Sequence, residues 1–223
     1  MPILGYLIVA LGGYLLGSLP TGYLVARTRG VDIRTVGSKN MGATNVFRTL
    51  GKGPGIFVFL VDALKGFAAV MLVVNFYSEL NDLLPRAFPG AGLLDPQSRD
   101  GFGIVAGIAA VLGHNYTCWL QFKGGKGVAT TAGVFLGLAP IAVGIGLGVW
   151  IVTLLATCYV SIASILAAIV LPVAVWFTQE NPAVRGIAIL LGVLAVYKHK
   201  ANIQRLMNGT ENRVSLKKAE GTK

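Results

Sequence analysis

Three short stretches hold the side chains in this sequence whose types and spacing suit them to chemistry. The first is VGSKNMGATNVFRTLGKGPG, Val36–Gly55, where Ser38, Asn40, Thr44, Asn45, Arg48 and Thr49 alternate with small residues and follow no hydrophobic period. Gly37 and Gly42 free the backbone to turn N–H groups toward a ligand, and Arg48 adds a planar fork of donors suited to phosphate; a flexible polar loop carrying positive-inside charge explains the same residues equally well. The second is FKGGKGVATTAG, Phe122–Gly133, which sets Lys123 and Lys126 among Gly124, Gly125 and Gly127 just before an apolar run. A loop of this kind entering a helix amino terminus offers unpaired N–H groups and the positive end of the helix dipole to an anion. It is not a nucleotide-hydrolysing P-loop, which needs a lysine and then a hydroxyl directly after its last glycine; Val128 and Ala129 follow Gly127 here. The third is YKHKANIQRLMNGTENRV, Tyr197–Val214. If it is helical, His199, Asn202 and Arg205 fall on one face, and histidine suits proton handling near neutral pH. A basic amphipathic tail lying on lipid explains Lys198 and Lys200 equally well.

Two further polar groups lie close to these stretches. His114 ends an apolar run just upstream of the glycine loop, and is expected to bond a neighbouring backbone group. Asp62 and Lys65 stand three apart inside another apolar run, a spacing that lets them pair. Cys118 and Cys158 sit in apolar context with no pairing pattern and act as small hydrophobes.

The elements that must position these side chains are membrane helices. Apolar residues make up 54% of the 223 residues, charged residues 13%, and the mean hydropathy is +0.70. Several runs approach the ~20 apolar residues that cross a bilayer. Spans are expected at Ile3–Ala26, Ile56–Tyr77 and Gly103–Leu120, and a last one at Val184–Tyr197. The tract Val128–Phe177 is too long for one helix, and Pro140 and the patch Thr157–Tyr159 divide it into three, the first of them short. The fold class expected is an all-α integral membrane protein, a bundle of about seven transmembrane helices in a single domain, residues 1–223, with 198–223 as its carboxyl-terminal segment. The first span lacks a basic start and reads as a retained helix rather than a signal peptide. The thirty glycines suit close helix packing in lipid.

Fifteen of the nineteen basic residues lie in the first loop, in the third loop or after the last span. By the positive-inside rule those regions are cytoplasmic, which puts the amino terminus outside and the carboxyl terminus inside. The net charge of +10 is then topology signal plus attraction to anionic membrane lipid, and no nucleic-acid reader is present. The loop around residues 80–101 is expected outside and remote from chemistry. The three polar stretches share one membrane face and together make a basic, glycine-lined pocket for a phosphorylated substrate at the lipid boundary.

GSKNMGATNVFRTLGK, GHNYTCWLQFKGGKGVAT and KHKANIQRLMNGTE, in that order over nearly the whole chain, resemble the bacterial membrane glycerol-3-phosphate acyltransferases that use acyl-phosphate as donor. The family's usual first motif is G-S-G-N-P-G-A-T-N; here Lys39 replaces the second glycine and Met41 the proline. The resemblance implies a seven-helix inner-membrane enzyme that acylates the 1-hydroxyl of glycerol 3-phosphate, giving lysophosphatidate and phosphate, with a soluble enzyme supplying acyl-phosphate and no cofactor. It implies catalytic roles for Ser38, Arg48, Lys126, His199 and Asn202. Thr44, Asn45, Lys123, Gly124, Gly125, Gly127, Ser161, Ser164, Thr210 and Glu211 would bind substrate or phosphate. No metal is implied, because the basic clusters lack the carboxylate sets that hold magnesium.

Chemistry points the same way. Thioester-using glycerolipid acyltransferases carry H-x-x-x-x-D, but His114 is followed five residues on by Trp119 and His199 by Gln204. With neither histidine given an acid partner by that spacing, a substrate phosphate oxygen is the favoured proton acceptor, and His199 and Asn202 orient substrate. An organic-phosphate or anion transporter is the alternative, and would be expected to show related halves with sites near the midplane. A lipid-phosphate phosphatase would need a better defined acid–base set.

Overall fold

A computed structural model describes residues 3–76 and 99–214, together with 79, 82, 83 and 86. The described residues form helices and connecting loops, with no strand. The expected external loop, and the tail lysines 217, 218 and 223, lie largely or wholly outside them.

The first crossing is broken at proline. Helix α1 (Ile3–Ser18) stops before Leu19–Pro20, and α2 (Thr21–Arg27) resumes the same span of 25 residues. A break inside a membrane frees carbonyls that lipid cannot satisfy. Thr117 donates its hydroxyl to the Ser18 carbonyl at 2.6 Å, and Lys65 its ammonium to that of Leu19 at 3.0 Å. Helices α3 (Ala43–Leu50) and α4 (Lys52–Asn75) follow, then α5 (Arg99–Asn115), whose apolar span continues to Leu120.

The long apolar tract divides where Pro140 and Thr157–Tyr159 predict. Ala139 leaves helical geometry between α6 (Val128–Leu138) and α7 (Pro140–Thr157), and Cys158 takes a left-handed turn, φ 59°, before α8 (Val160–Thr178). Helix α9 (Pro182–Lys198) ends the bundle, and α10 (Lys200–Met207) departs from it at 51°. Among the described residues, five elements are long and apolar enough to cross a bilayer, or six if α9 and α10 are taken as one bent span. Helix α6 spans only about 16 Å at 1.5 Å per residue. The expected seven is therefore an approximate count: the described residues hold five or six candidate crossings and one apolar helix too short to cross alone.

Glycine brings these helices close. Gly13 and Gly17 on α1 lie against the backbone of Ala106 and Ala110 on α5, where a Cβ would collide. Gly66 of α4 and Gly133 of α6 meet the backbones of Thr130 and Ala63 in the same way. Helix α7 packs chiefly on α8, standing away from this tight group. The expected pair forms, with Lys65 Nζ 2.8 Å from Asp62 Oδ1 and both side chains buried. The polar stretches gather at one end of the bundle, held there by a small core that includes Ile33, Met41, Val46 and Leu120.

Candidate active site

The first polar loop is organised by one buried amide. Asn45 accepts from the Ser38 N–H at 2.9 Å and donates to the carbonyls of Ile33, Val36 and Asn40 at 3.2, 3.0 and 2.9 Å. Its side chain is spent on shaping the loop. Gly37 and Lys39 both take the left-handed region, φ 58° and 57°. Lysine therefore holds, at a steric cost, the conformation that glycine adopts freely. The turn delivers Ser38, Thr44 and the half-buried Arg48 to a common cavity, and Arg48 Nη2 donates to the Asn212 carbonyl at 2.9 Å.

In the second stretch, the glycines serve a different purpose from the one expected. The N–H of Gly124 donates to the Asn115 carbonyl at 3.2 Å and that of Gly125 to the His114 carbonyl at 3.0 Å. These two donors are occupied and do not cradle an anion. A Cβ at Gly124 would strike the His114 carbonyl, one at Gly125 the His114 ring, and one at Gly127 would lie 2.7 Å from Asn115 Oδ1. The loop thus lies flat on His114 and Asn115. Lys126, Gly127, Val128 and Ala129 line the cavity, so the start of α6 and one ammonium face it. Lys123 is exposed and outside the lining.

The third stretch closes the ring. The Ala195 carbonyl lies 2.8 Å from His199 Nδ1 and can only accept, so Nδ1 carries the proton and Nε2 does not. Lys126 Nζ donates to Asn202 Oδ1 at 2.6 Å, and Asn202 Nδ2 donates to Glu211 Oε1 at 2.9 Å. Arg205 Nε donates to Glu211 Oε2 at 2.7 Å. Glu211 is thus committed to Asn202 and Arg205. Thr210 bonds the Arg205 carbonyl, is exposed and does not line the cavity. Ser161 and Ser164 do line it, from the start of α8.

Five contributors lie outside the three stretches and the expected site residues, Val160 at the start of α8 among them. Asp62 and His114 line the cavity, with His114 Nδ1 3.6 Å from Asp62 Oδ1. The histidine ring therefore faces a carboxylate rather than a backbone group, correcting the sequence reading of both its partner and its missing acid. Asp62 comes from α4, so an H-x-x-x-x-D spacing could not reveal it. The same oxygen is paired to Lys65, and 3.6 Å is beyond hydrogen-bond length. Phe59 and Trp150 are two more, and Trp150 Nε1 donates to Ser164 Oγ at 3.2 Å.

Charge in the cavity is uneven. Burial pushes the Lys126 ammonium down to about 8, with Arg205 and Arg48 nearby adding to the effect against Glu211. Burial and the Lys126 charge bring His199, past the end of α9, down to about 4. Against burial, hydrogen bonds from Asn202 and Arg205 hold Glu211 below the usual carboxylate range. The result is a site of about 100 Å³ lined by Arg48, Lys126 and a helix start, an arrangement that suits an anion. An apolar groove of about 580 Å³ adjoins it, and Ala43, Thr44, Phe59, Val128, Trp150 and Val160 line both spaces.

A family model described as glycerol-3-phosphate acyltransferase matches residues 7–209. Among similar proteins, the glycerol-3-phosphate acyltransferase of Geotalea daltonii is 43% identical over 206 residues, 92% of this chain and 96% of that protein. That of Geobacter sulfurreducens is 43% identical over 211 residues, covering 95% and 98%. Among solved structures, PlsY (YgiH), an integral membrane glycerol 3-phosphate acyltransferase, matches in its glycerol 3-phosphate form with a TM-score of 0.79 and 37% identity, over 95% of this chain and 96% of that one. Its lysophosphatidic acid form matches with a TM-score of 0.77 and 36% identity over the same shares. The chain therefore belongs to the glycerol-3-phosphate acyltransferase family, as an integral membrane acyltransferase.

Proposed function

We propose that this acyltransferase moves an acyl chain from acyl-phosphate to the 1-hydroxyl of sn-glycerol 3-phosphate, releasing phosphate and lysophosphatidate in the first acylation of phospholipid biosynthesis. The observation that carries this reading is the junction of a basic cavity with an apolar groove through six shared residues. An acyl-phosphate has that shape, an anionic head on an alkyl chain. The two forms in which the similar PlsY was solved, with glycerol 3-phosphate and with lysophosphatidic acid, fit one substrate and the product.

Arg48, Lys126 and the start of α6 hold phosphate, and Ser38 and the Asn202 amide orient the reacting groups. The glycerol oxygen attacks the acyl carbonyl carbon, a new C–O ester bond forms, and the bond from that carbon to the phosphate oxygen breaks. The leaving phosphate takes the electron pair, and one of its oxygens takes the hydroxyl proton. His199 is a weak base at about 4, and Asp62 beside His114 is already paired with Lys65. Substrate phosphate is the better acceptor, and orientation with charge stabilisation provides the acceleration. Ser161, Ser164, Thr44 and Gly127 complete the walls.

The chain works as one domain, residues 1–223, in the bacterial inner membrane with the site on the cytoplasmic side, amino terminus outside and carboxyl terminus inside. Its donor comes from a soluble enzyme that makes acyl-phosphate. Purified protein with labelled glycerol 3-phosphate and palmitoyl-phosphate should yield labelled lysophosphatidate and phosphate in equal amounts. Counterflow of glycerol 3-phosphate in liposomes with no lipid product would instead support transport.

A further inference from the structure

The apolar groove has a glycine without a close neighbour in one of its walls. Its wall on α7 is a single helical face: Val143, Gly146, Leu147, Trp150, Ile151 and Leu154. Gly146 is buried, yet a Cβ built on it would meet no atom within 4 Å. Other glycines with that much room, such as Gly12, Gly144, Gly148 and Gly186, are exposed, so their open space is the molecule's surface. At Gly146 the open space lies inside. Trp150, which borders both cavity and groove, stands four residues away, about 6 Å along the helix. Gly146 therefore faces the part of the groove beyond the chemical end, toward the middle of α7.

We propose that Gly146 gauges the acyl chain: its missing side chain keeps the groove passable beyond Trp150 and sets the longest chain the enzyme accepts. The proposal rests on the donor reading above, because its occupant is the alkyl chain of the acyl donor. A bulky residue at this position, reaching well beyond a Cβ, fills the passage and shortens the accepted chain without touching Arg48, Lys126 or Asn202.

The test compares kcat/KM for decanoyl-, myristoyl- and stearoyl-phosphate in wild type, Gly146→Val and Gly146→Phe. Gly144→Phe, on the exposed side of the same helix, controls for added bulk on α7. In Gly146→Phe the ratio of stearoyl to decanoyl turnover should fall by more than about tenfold, the equivalent of two methylenes kept out at about 0.8 kcal/mol each. Gly146→Val should fall between, and Gly144→Phe should keep the wild-type ratio. If the phenylalanine variant does not fold, the valine variant carries the same comparison. An unchanged ratio in an active Gly146 variant, or an equal loss for every donor, would overturn the gauge. Wild-type protein inactive with all three acyl-phosphates would instead overturn the donor reading itself.

Discussion

Arg48 and Lys126 reach the cavity from different stretches, and both are tied to the segment after α10. Arg48 holds the Asn212 carbonyl, and Lys126 reaches Glu211 through Asn202. Removing either charge should cost about 2–4 kcal/mol of transition-state stabilisation, seen as a loss of roughly 30- to 1,000-fold in kcat for Arg48→Ala and Lys126→Ala in folded protein. Lys126→Arg should recover only part, since a point charge and a planar fork differ in geometry. The Lys126 ammonium, lowered to about 8, is charged below that pH and neutral above it. In the free enzyme kcat/KM for glycerol 3-phosphate should therefore fall as pH rises through about 8. The limb should move to higher pH in kcat, because bound phosphate favours the charged form. A pH series on wild type and Lys126→Arg checks this, and a limb unchanged in the arginine variant would contradict it. Lys39 allows a separate prediction. It is exposed and left-handed, so Lys39→Gly should keep activity and raise thermal stability by about 1 kcal/mol.

At the scale of elements, the glycine loop works as a seat on the end of α5. Gly125→Ala must push the His114 ring aside, and that ring neighbours Asp62 and lines the cavity. The variant should lose activity together with stability, measured as a lowered midpoint in detergent, whereas an exposed glycine such as Gly144 should tolerate alanine. Most of the helical layout was legible, because apolar runs, Pro140 and the Thr157–Tyr159 patch mark its breaks in the chain itself. The Asp62–Lys65 pair was legible for the same reason, being a local spacing on one helix. What was not legible depended on contacts between helices. The approach of Asp62 to His114 joins α4 to α5, and the glycine N–H groups turn inward because α5 offers its terminal carbonyls there. Nothing local marks Trp150 either: its place between cavity and groove follows from α7 packing chiefly on α8, apart from the tight group of α1, α4, α5 and α6.

At the scale of the whole molecule, the fold opens a charged cavity and an apolar groove into each other at one end of a helical bundle. That junction suits the proposed donor, which has an anionic head and a lipid tail. Acyl-phosphate carries its own proton-accepting oxygens, whereas a thioester would need a protein base. His199 is a weak one and the Asp62 carboxylate is already paired. The most direct measurement is kcat/KM of the purified protein for palmitoyl-phosphate, palmitoyl-CoA and palmitoyl-acyl-carrier protein, each with saturating glycerol 3-phosphate. Turnover with palmitoyl-phosphate and none above background with either thioester is the result expected. Thioester turnover equal to or faster than acyl-phosphate turnover would contradict it.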